Sequence, residues 1–181
     1  MKLLLASGSP RRKTLLEWAG YAVDVQPSNV DEFRNPALNP VEHARDLAIR
    51  KLASAPANRL ALAADTVVHL DDLVLEKPVD REEAASHLRR LSGQWHQVTT
   101  GVAISGQPVF SVTTRVRFRD LRDAEIGGYV ATGEADDKAG AYGIQGRAAV
   151  FVAEVRGSWT NVVGLPMETT IQFLEIAGLH R

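Results

Sequence analysis

Leu60 to Leu70 is a long apolar run interrupted by Asp65 and Thr66, and it constrains the fold more than any other segment. A run of this kind forms a buried strand. A carboxylate inside such a strand is costly unless a metal, an arginine or a lysine stands beside it. The rest of the chain must therefore cover a central strand and bring positive charge to its middle.

The flanking segments alternate between strand and helix signals. Lys2 to Ala6 reads as a short buried strand that meets Ser7, Gly8 and Ser9. Ser9 caps a helix with Pro10 at its first position, and Leu15, Leu16 and Ala19 form its apolar stripe up to Gly20. Ala22 to Val25 reads as a second strand and 27–39 as an irregular loop. Asn39 and Glu42 form a capping box for the next helix, in which Val41, Ala44, Leu47, Ala48 and Lys51 recur at spacings of three and four. Lys51 therefore continues the apolar stripe instead of the wet face.

Asp71-Asp72 turns the long strand into a return strand at Leu73–Leu75. Asp80 with Glu83 predicts a second capping box, opening a helix that passes Leu88 and Leu91 and ends at Gly93. Gln94–Ser105 and Val109–Phe118 predict a hairpin around Gly106-Gln107-Pro108, and Ala124–Ala131 a short helix. Ala139–Gly146 is a glycine-punctuated loop, Ala148–Val155 reads as a strand, and a last helix runs from Pro166 to Ala177. This order predicts an α/β protein with a mixed twisted sheet and flanking helices, one domain over 1–181.

Composition removes several function classes. The net charge is -1 and aromatic residues make up 6% of the chain, which disfavours a nucleic-acid partner that needs a basic field and a stacking platform. No cysteine is present, so thiolate nucleophiles and zinc ribbons are excluded and a reducing, cytoplasmic setting is expected. The apolar run Met1 to Ala6 is too short for a signal peptide, and no run reaches the roughly 18 residues of a membrane span. The five histidines, His43, His69, His87, His96 and His180, are scattered and read as surface or satisfied core residues.

Three features carry chemistry. Arg11 and Arg12 sit in the first turn of a helix, where positive charge opposes the helix dipole. This suggests an anion that the guanidiniums and the open N–H groups share; two solvated arginines on a capped helix are the plain alternative. Asp65 asks for a partner, for which Lys51 and Lys77 are candidates, a structural ion pair being the plain reading. In the loop Ala139 to Gly146, glycines at a period of three let backbone approach a flat ligand, and Gln145 offers a donor and an acceptor.

These pieces occur in a familiar order. Leu5-Ala6-Ser7-Gly8-Ser9-Pro10-Arg11-Arg12, Asp31-Glu32, Lys51, Ala64-Asp65-Thr66-Val67-Val68, Glu76-Lys77-Pro78, Asp137-Lys138-Ala139-Gly140-Ala141-Tyr142-Gly143-Ile144-Gln145-Gly146 and Asn161-Val162-Val163-Gly164-Leu165-Pro166 together resemble the Maf family of nucleoside triphosphate pyrophosphatases. Tyr142 to Gly146 is similar to the form of the subgroup acting on dTTP and UTP. Trp159 departs from the tyrosine usual at that turn.

The resemblance implies hydrolysis of a nucleoside triphosphate between the α and β phosphates with Mg2+ or Mn2+. It also implies a deep cleft between two lobes, a fold similar to that of inosine triphosphate pyrophosphatases, and homodimers as a common state. It implies base choice by Arg11, Thr66 and Gln145 and proton acceptance by Asp65. On this expectation Ser9, Arg12, Lys51 and Lys77 receive the phosphates, Lys138 belongs to the substrate-binding set, and Glu32 with Asp65 holds the divalent ion. A competing reading keeps the same cleft for a non-catalytic nucleotide-binding regulator of septum formation.

Overall fold

A computed structural model describes residues 2–181. In chain order its elements are β1 Leu3–Leu5, α1 Pro10–Trp18, β2 Val23–Val25, α2 Pro40–Ala53, β3 Ala61–Leu70, β4 Leu73–Leu75, α3 Arg81–Leu91, β5 Trp95–Ile104, β6 Phe110–Phe118, α4 Asp123–Val130, β7 Val152–Arg156, α5 Trp159–Val163 and α6 Met167–Ile176. One sheet runs in the order β2-β1-β3-β5-β6-β7, with β4 also on β3. β1 pairs parallel with β2 and β3, whereas the β3, β4, β5, β6 and β7 pairings are antiparallel. The sheet is mixed, as the alternation of elements predicts.

β3 is the centre of this sheet. Along one edge it pairs with β5 from Leu62 to His69. Along the other it pairs with β1 at Ala61 and Leu62 and with β4 from Val68 to Leu70. The edge between these two partners, residues 63–67, carries no strand. A cleft opens at this fork, so Asp65 and Thr66 both reach it although successive side chains leave a strand on opposite faces.

The two faces of the sheet are covered differently. On one, α2 lies so close that a methyl group at Gly101 would fall well inside contact distance of the Ala44 backbone, and Ala44, Val67 and Val74 form a small cluster there. On the other, Ala64, Val68, Val98, Val102, Leu88 and Phe118 belong to the main core. Burying a leucine or phenylalanine of this kind contributes roughly 1.5–3 kcal/mol.

Helix starts follow the capping residues. Asn39 accepts from Glu42 N–H while the Glu42 carboxylate accepts from Asn39 N–H, both at 3.0 Å. At α3 half of the expected box is present. Asp80 accepts from Glu83 N–H at 2.8 Å, but the Glu83 carboxylate accepts from Val79 N–H at 2.7 Å, one residue earlier.

Two further departures concern the C-terminal third. The segment Arg147–Phe151 is a 3₁₀ turn, and the strand expected over Ala148–Val155 begins at Val152. Ala148 and Phe151 are buried while Ala149 and Val150 are exposed. That spacing of three belongs to a tight helical turn and not to a strand. α5 has no counterpart in the sequence reading; Ser158 caps it by accepting from Asn161 N–H. Of the histidines, His43, His69, His87 and His96 are buried and His180 is exposed. Among the described residues, no helix is long and apolar enough to cross a membrane.

Candidate active site

The N-terminus of α1 is built as its sequence indicates. Ser9 accepts from Arg12 N–H at 3.5 Å, and Ser9 N–H donates to Ser7 Oγ at 3.3 Å. The Arg12 guanidinium folds back under this turn. It donates to the Gly164 carbonyl at 2.8 Å, to Ser7 Oγ at 2.9 Å and to Thr66 Oγ1 at 3.1 Å. Arg12 is 8% exposed, and all three of these acceptors are neutral. Burial pushes its pKa down, the field of Asp65 opposing this. A buried cation without a paired anion is costly, so the site is suited to an anion that arrives from the cleft.

Lys51 reaches inward from the apolar stripe of α2. Its ammonium lies 2.6 Å from Asp65 Oδ1 and 2.6 Å from Glu32 Oε1. Lys77, exposed on the rim, approaches Glu32 Oε2 at 3.2 Å. Burial raises the Glu32 pKa, but the hydrogen bonds and charges of Lys51 and Lys77 outweigh this and bring it down to about 2. Glu32 belongs to the 27–39 loop, which Arg50 of α2 holds by donating to the carbonyls of Asp31 at 2.6 Å and Phe33 at 3.1 Å.

The opposite wall carries Lys138, which donates to the Glu134 carbonyl at 2.7 Å, and Asp137, which approaches Arg11 at 3.8 Å. Gln145 is exposed at the cleft, and its side chain makes no hydrogen bond within the described residues. The cleft has a volume of about 580 Å³ and is lined by Ser9, Arg11, Arg12, Glu32, Lys51, Asp65, Thr66, Lys77, Lys138 and Gln145. Every site residue expected from the sequence therefore faces one cavity, of a size typical for a bound small molecule. No histidine lines it. Trp159 does not line it either, being half-exposed at the start of α5.

The glycines of the 139–146 loop behave differently from expectation. Methyl groups at Gly140 and Gly146 would strike the Val68 side chain and the Glu134 carboxylate. These two glycines thus admit other parts of the protein, while Gly143 and Gly146 also line the cleft. Glu134 and Thr100 were not singled out by sequence reasoning, and Gly164 stood only within the quoted Asn161–Pro166 motif, with no role for its carbonyl. Thr100 Oγ1 lies 2.9 Å from Thr66 Oγ1 and donates to the Asn161 carbonyl at 3.1 Å. The Asn161 amide is fully buried and donates to the Val98 carbonyl and Thr114 Oγ1. Nothing local marks these roles, because each joins elements far apart in the chain.

The donor chemistry fits a hard divalent ion. Glu32 Oε1 and Asp65 Oδ1 both meet the Lys51 ammonium, and Asp65 Oδ2 makes no hydrogen bond within the described residues and is the carboxylate oxygen left open to an ion. No group of three or more histidine, cysteine, aspartate or glutamate side chains suited to a metal occurs among them. An ion at this cleft would thus take one or two carboxylates and complete its shell with phosphate oxygens and water, as Mg2+ commonly does.

Residues 2–177 match the family model described as Maf-like protein. A dTTP/UTP pyrophosphatase of Geobacillus sp. (strain WCH70) is 47% identical over 183 residues, covering 98% of both chains. A dTTP/UTP pyrophosphatase of Hyphomonas neptunium (strain ATCC 15444) is 49% identical over 185 residues, covering 99% of this chain and 97% of its own. Among solved structures, a nucleoside-triphosphatase / dITP/XTP pyrophosphatase from Mycobacterium abscessus covers 98% of this chain at 16% identity and a TM-score of 0.47. A match over almost the entire length, joined to a cleft in which the ordered motifs converge, means that the chain belongs to the Maf-like protein family.

Proposed function

We propose that the chain hydrolyses dTTP and UTP to the monophosphate and pyrophosphate. The observation that carries this reading is the meeting of Arg12, a buried cation with neutral partners, and the Lys51, Asp65 and Glu32 cluster in one cavity. The names of the relatives supply the substrates.

A triphosphate carries roughly three to four negative charges near neutral pH, so cations and N–H donors must act before any bond breaks. Arg12 and the capped start of α1 take one part of the chain of phosphates, and Lys51, Lys77 and Lys138 take the rest. Arg12 binds as a fork locked by Ser7, Thr66 and Gly164, so little side-chain freedom is lost on binding. Glu32 and Asp65 would hold Mg2+ or Mn2+, which would supply positive charge against the phosphates.

Water then attacks the α phosphorus in line. Its oxygen forms the new P–O bond, the bond to the bridging oxygen of the β phosphate breaks, and the electron pair leaves with pyrophosphate. Asp65 Oδ2, the oxygen not occupied by Lys51, serves either as acceptor of the water proton or as a ligand of the ion, and Asp65→Asn removes both roles. Gln145 accepts from the N3–H of uracil or thymine and donates to a neighbouring carbonyl; cytosine lacks that N3–H. Arg11 and Thr66, which line the same cavity, are the other two residues to which base choice is assigned.

The test is a panel of nucleoside triphosphates with Mg2+ or Mn2+, followed by pyrophosphate release. Turnover of dTTP and UTP well above CTP and purine nucleotides is expected. Tight binding without pyrophosphate release would overturn the reading and favour the regulator.

A further inference from the structure

The turn that carries Gln145 is held from one side by a carboxylate and a phenol that no step above uses. Glu134 accepts from Arg147 N–H at 3.0 Å through Oε2 and from the Tyr129 hydroxyl at 3.2 Å through Oε1. The same hydroxyl accepts from Gly143 N–H at 3.3 Å. Gly143 and Arg147 are the two ends of the turn, and Gly146 N–H closes it internally onto the Gly143 carbonyl at 3.0 Å. The Gly146 carbonyl also accepts from Ala149 N–H at 3.1 Å, which joins the turn to the segment that follows it; Glu134 and Tyr129 hold it from the preceding helix and loop, at Arg147 and Gly143.

We infer that Glu134 and Tyr129 form a clamp that fixes the position of Gln145 and thereby sets pyrimidine selectivity. This rests on the reading of Gln145 as the residue that meets the base. Three observations support a built device over a chance contact. Tyr129 is 5% exposed and its ring stands edge-on to Phe151 at 5.3 Å, so its hydroxyl has a fixed direction. Burial, reinforced by Glu134, raises the Tyr129 pKa, which keeps the hydroxyl a donor to the carboxylate while its lone pair accepts from Gly143. A methyl at Gly146 would strike the Glu134 carboxylate, so the turn and the carboxylate fit together only with glycine there.

The consequence concerns position more than chemistry. Glu134 and Tyr129 act as positioning residues, because they bond each other and the backbone N–H groups of Arg147 and Gly143, and leave the Gln145 amide free for the base. A base-reading amide discriminates well only when it is held in register, since a site that can shift will tolerate the wrong hydrogen-bonding edge. Loss of the clamp should therefore weaken selection among bases before it weakens phosphoryl chemistry.

Tyr129→Phe removes one hydroxyl and keeps the packed ring; Glu134→Ala removes the carboxylate; Gln145→Ala is the reference. For each, kcat and KM are measured with dTTP, UTP and CTP, together with the thermal midpoint. Both clamp variants are expected to lower the dTTP:CTP ratio of kcat/KM by about tenfold, mainly through KM for dTTP, with kcat changed by less than about threefold. An equal loss on all three nucleotides would mean a merely structural role and overturn the inference. A ratio lowered by Gln145→Ala but unmoved by either clamp variant would overturn the clamp alone. A ratio unmoved by Gln145→Ala would overturn the base-reading role, and the clamp with it.

Discussion

Lys51 Nζ lies 2.6 Å from Asp65 Oδ1, and the two side chains are 8% and 12% exposed. An ion pair this deep answers the problem posed by a carboxylate in the middle of an apolar strand. Removing one partner leaves the other charge buried, so Lys51→Met should destabilise the fold by about 3 kcal/mol, with Lys51→Met/Asp65→Asn recovering part of it. Asp65→Asn alone should cut pyrophosphate release more than about tenfold, since general-base catalysis typically contributes 10²–10⁴-fold. Urea midpoints and turnover read the two effects separately; a fully active Asp65→Asn protein would remove Asp65 from the mechanism.

Arg12→Lys retains the charge but loses the fork that spans Ser7, Thr66 and Gly164. An ammonium on a flexible stem does not satisfy three acceptors fixed in one plane. The kcat/KM for dTTP should fall by about 10²-fold, with a lower thermal midpoint. Near-parental kinetics in Arg12→Lys would mean that charge alone matters at this position.

Glu32, with a pKa brought from 4.5 down to about 2 by Lys51 and Lys77 against the opposing effect of burial, gives a pH prediction. Its folded pKa lies below the unfolded value, so its contribution is present above about pH 4.5 and disappears as pH falls toward 2. Its side chain is 47% exposed, and solvent screening keeps the contribution under about 1 kcal/mol. The stability difference between parent and Glu32→Gln should be constant near neutrality and shrink below pH 4.5. Denaturant midpoints across pH 3–7 measure it; a difference that grows on acidification would contradict the assignment.

His96 produces a second acid limb at higher pH. Burial pushes its imidazole down from 6.5 to about 4, so the unfolded chain takes up a proton through pH 6.5 while the folded one stays neutral until about 4. Stability is therefore lost as pH falls through this window, by at most roughly 3 kcal/mol at 1.36 kcal/mol per pKa unit. His96→Phe should flatten the limb. His43, His69 and His87 are also lowered by burial, so part of the slope remains. An unchanged slope in urea titrations between pH 4 and 7 would count against His96 as a source.

Gly101→Ala tests how α2 sets the cleft. The added methyl would meet the Ala44 backbone, and a helix backbone yields less readily than a side chain. A loss of about 2–3 kcal/mol is expected from overpacking. Because α2 also carries Lys51, displacement of the helix should lower kcat as well. Full activity with a reduced thermal midpoint would show that α2 moves without moving the ammonium.

Much of the site could be read before any fold was known, because its signals violate local rules. Asp65 is a charge inside an apolar run, Lys51 a charge on an apolar stripe, and Arg11 and Arg12 are cations at the positive end of a helix. Each violation needs only a few neighbouring residues to be recognised. The helix starts at Ser9 and Asn39 were legible for the same reason, since a cap and its acceptor lie three residues apart. The segment 147–151 misled because Ala148 to Val152 is apolar throughout, and such a run does not distinguish a strand from a tight helical turn.

The sequence by itself determined the order of strands and helices apart from α5, the capped entry of α1 and the need of Asp65 for a cation, since these depend on period, caps and desolvation over short spans. Tertiary structure alone decided which acceptors hold Arg12, one of them 152 residues away at Gly164, and that β3 is bare between β1 and β4 so that Asp65 and Thr66 open on one cleft. It also decided that Glu134 and Tyr129 grip the turn bearing Gln145. The physical reason is the same in each case: these contacts are made between segments that no local pattern links, and chain packing chooses which of many equivalent hydroxyls, carbonyls and carboxylates come within hydrogen-bond reach.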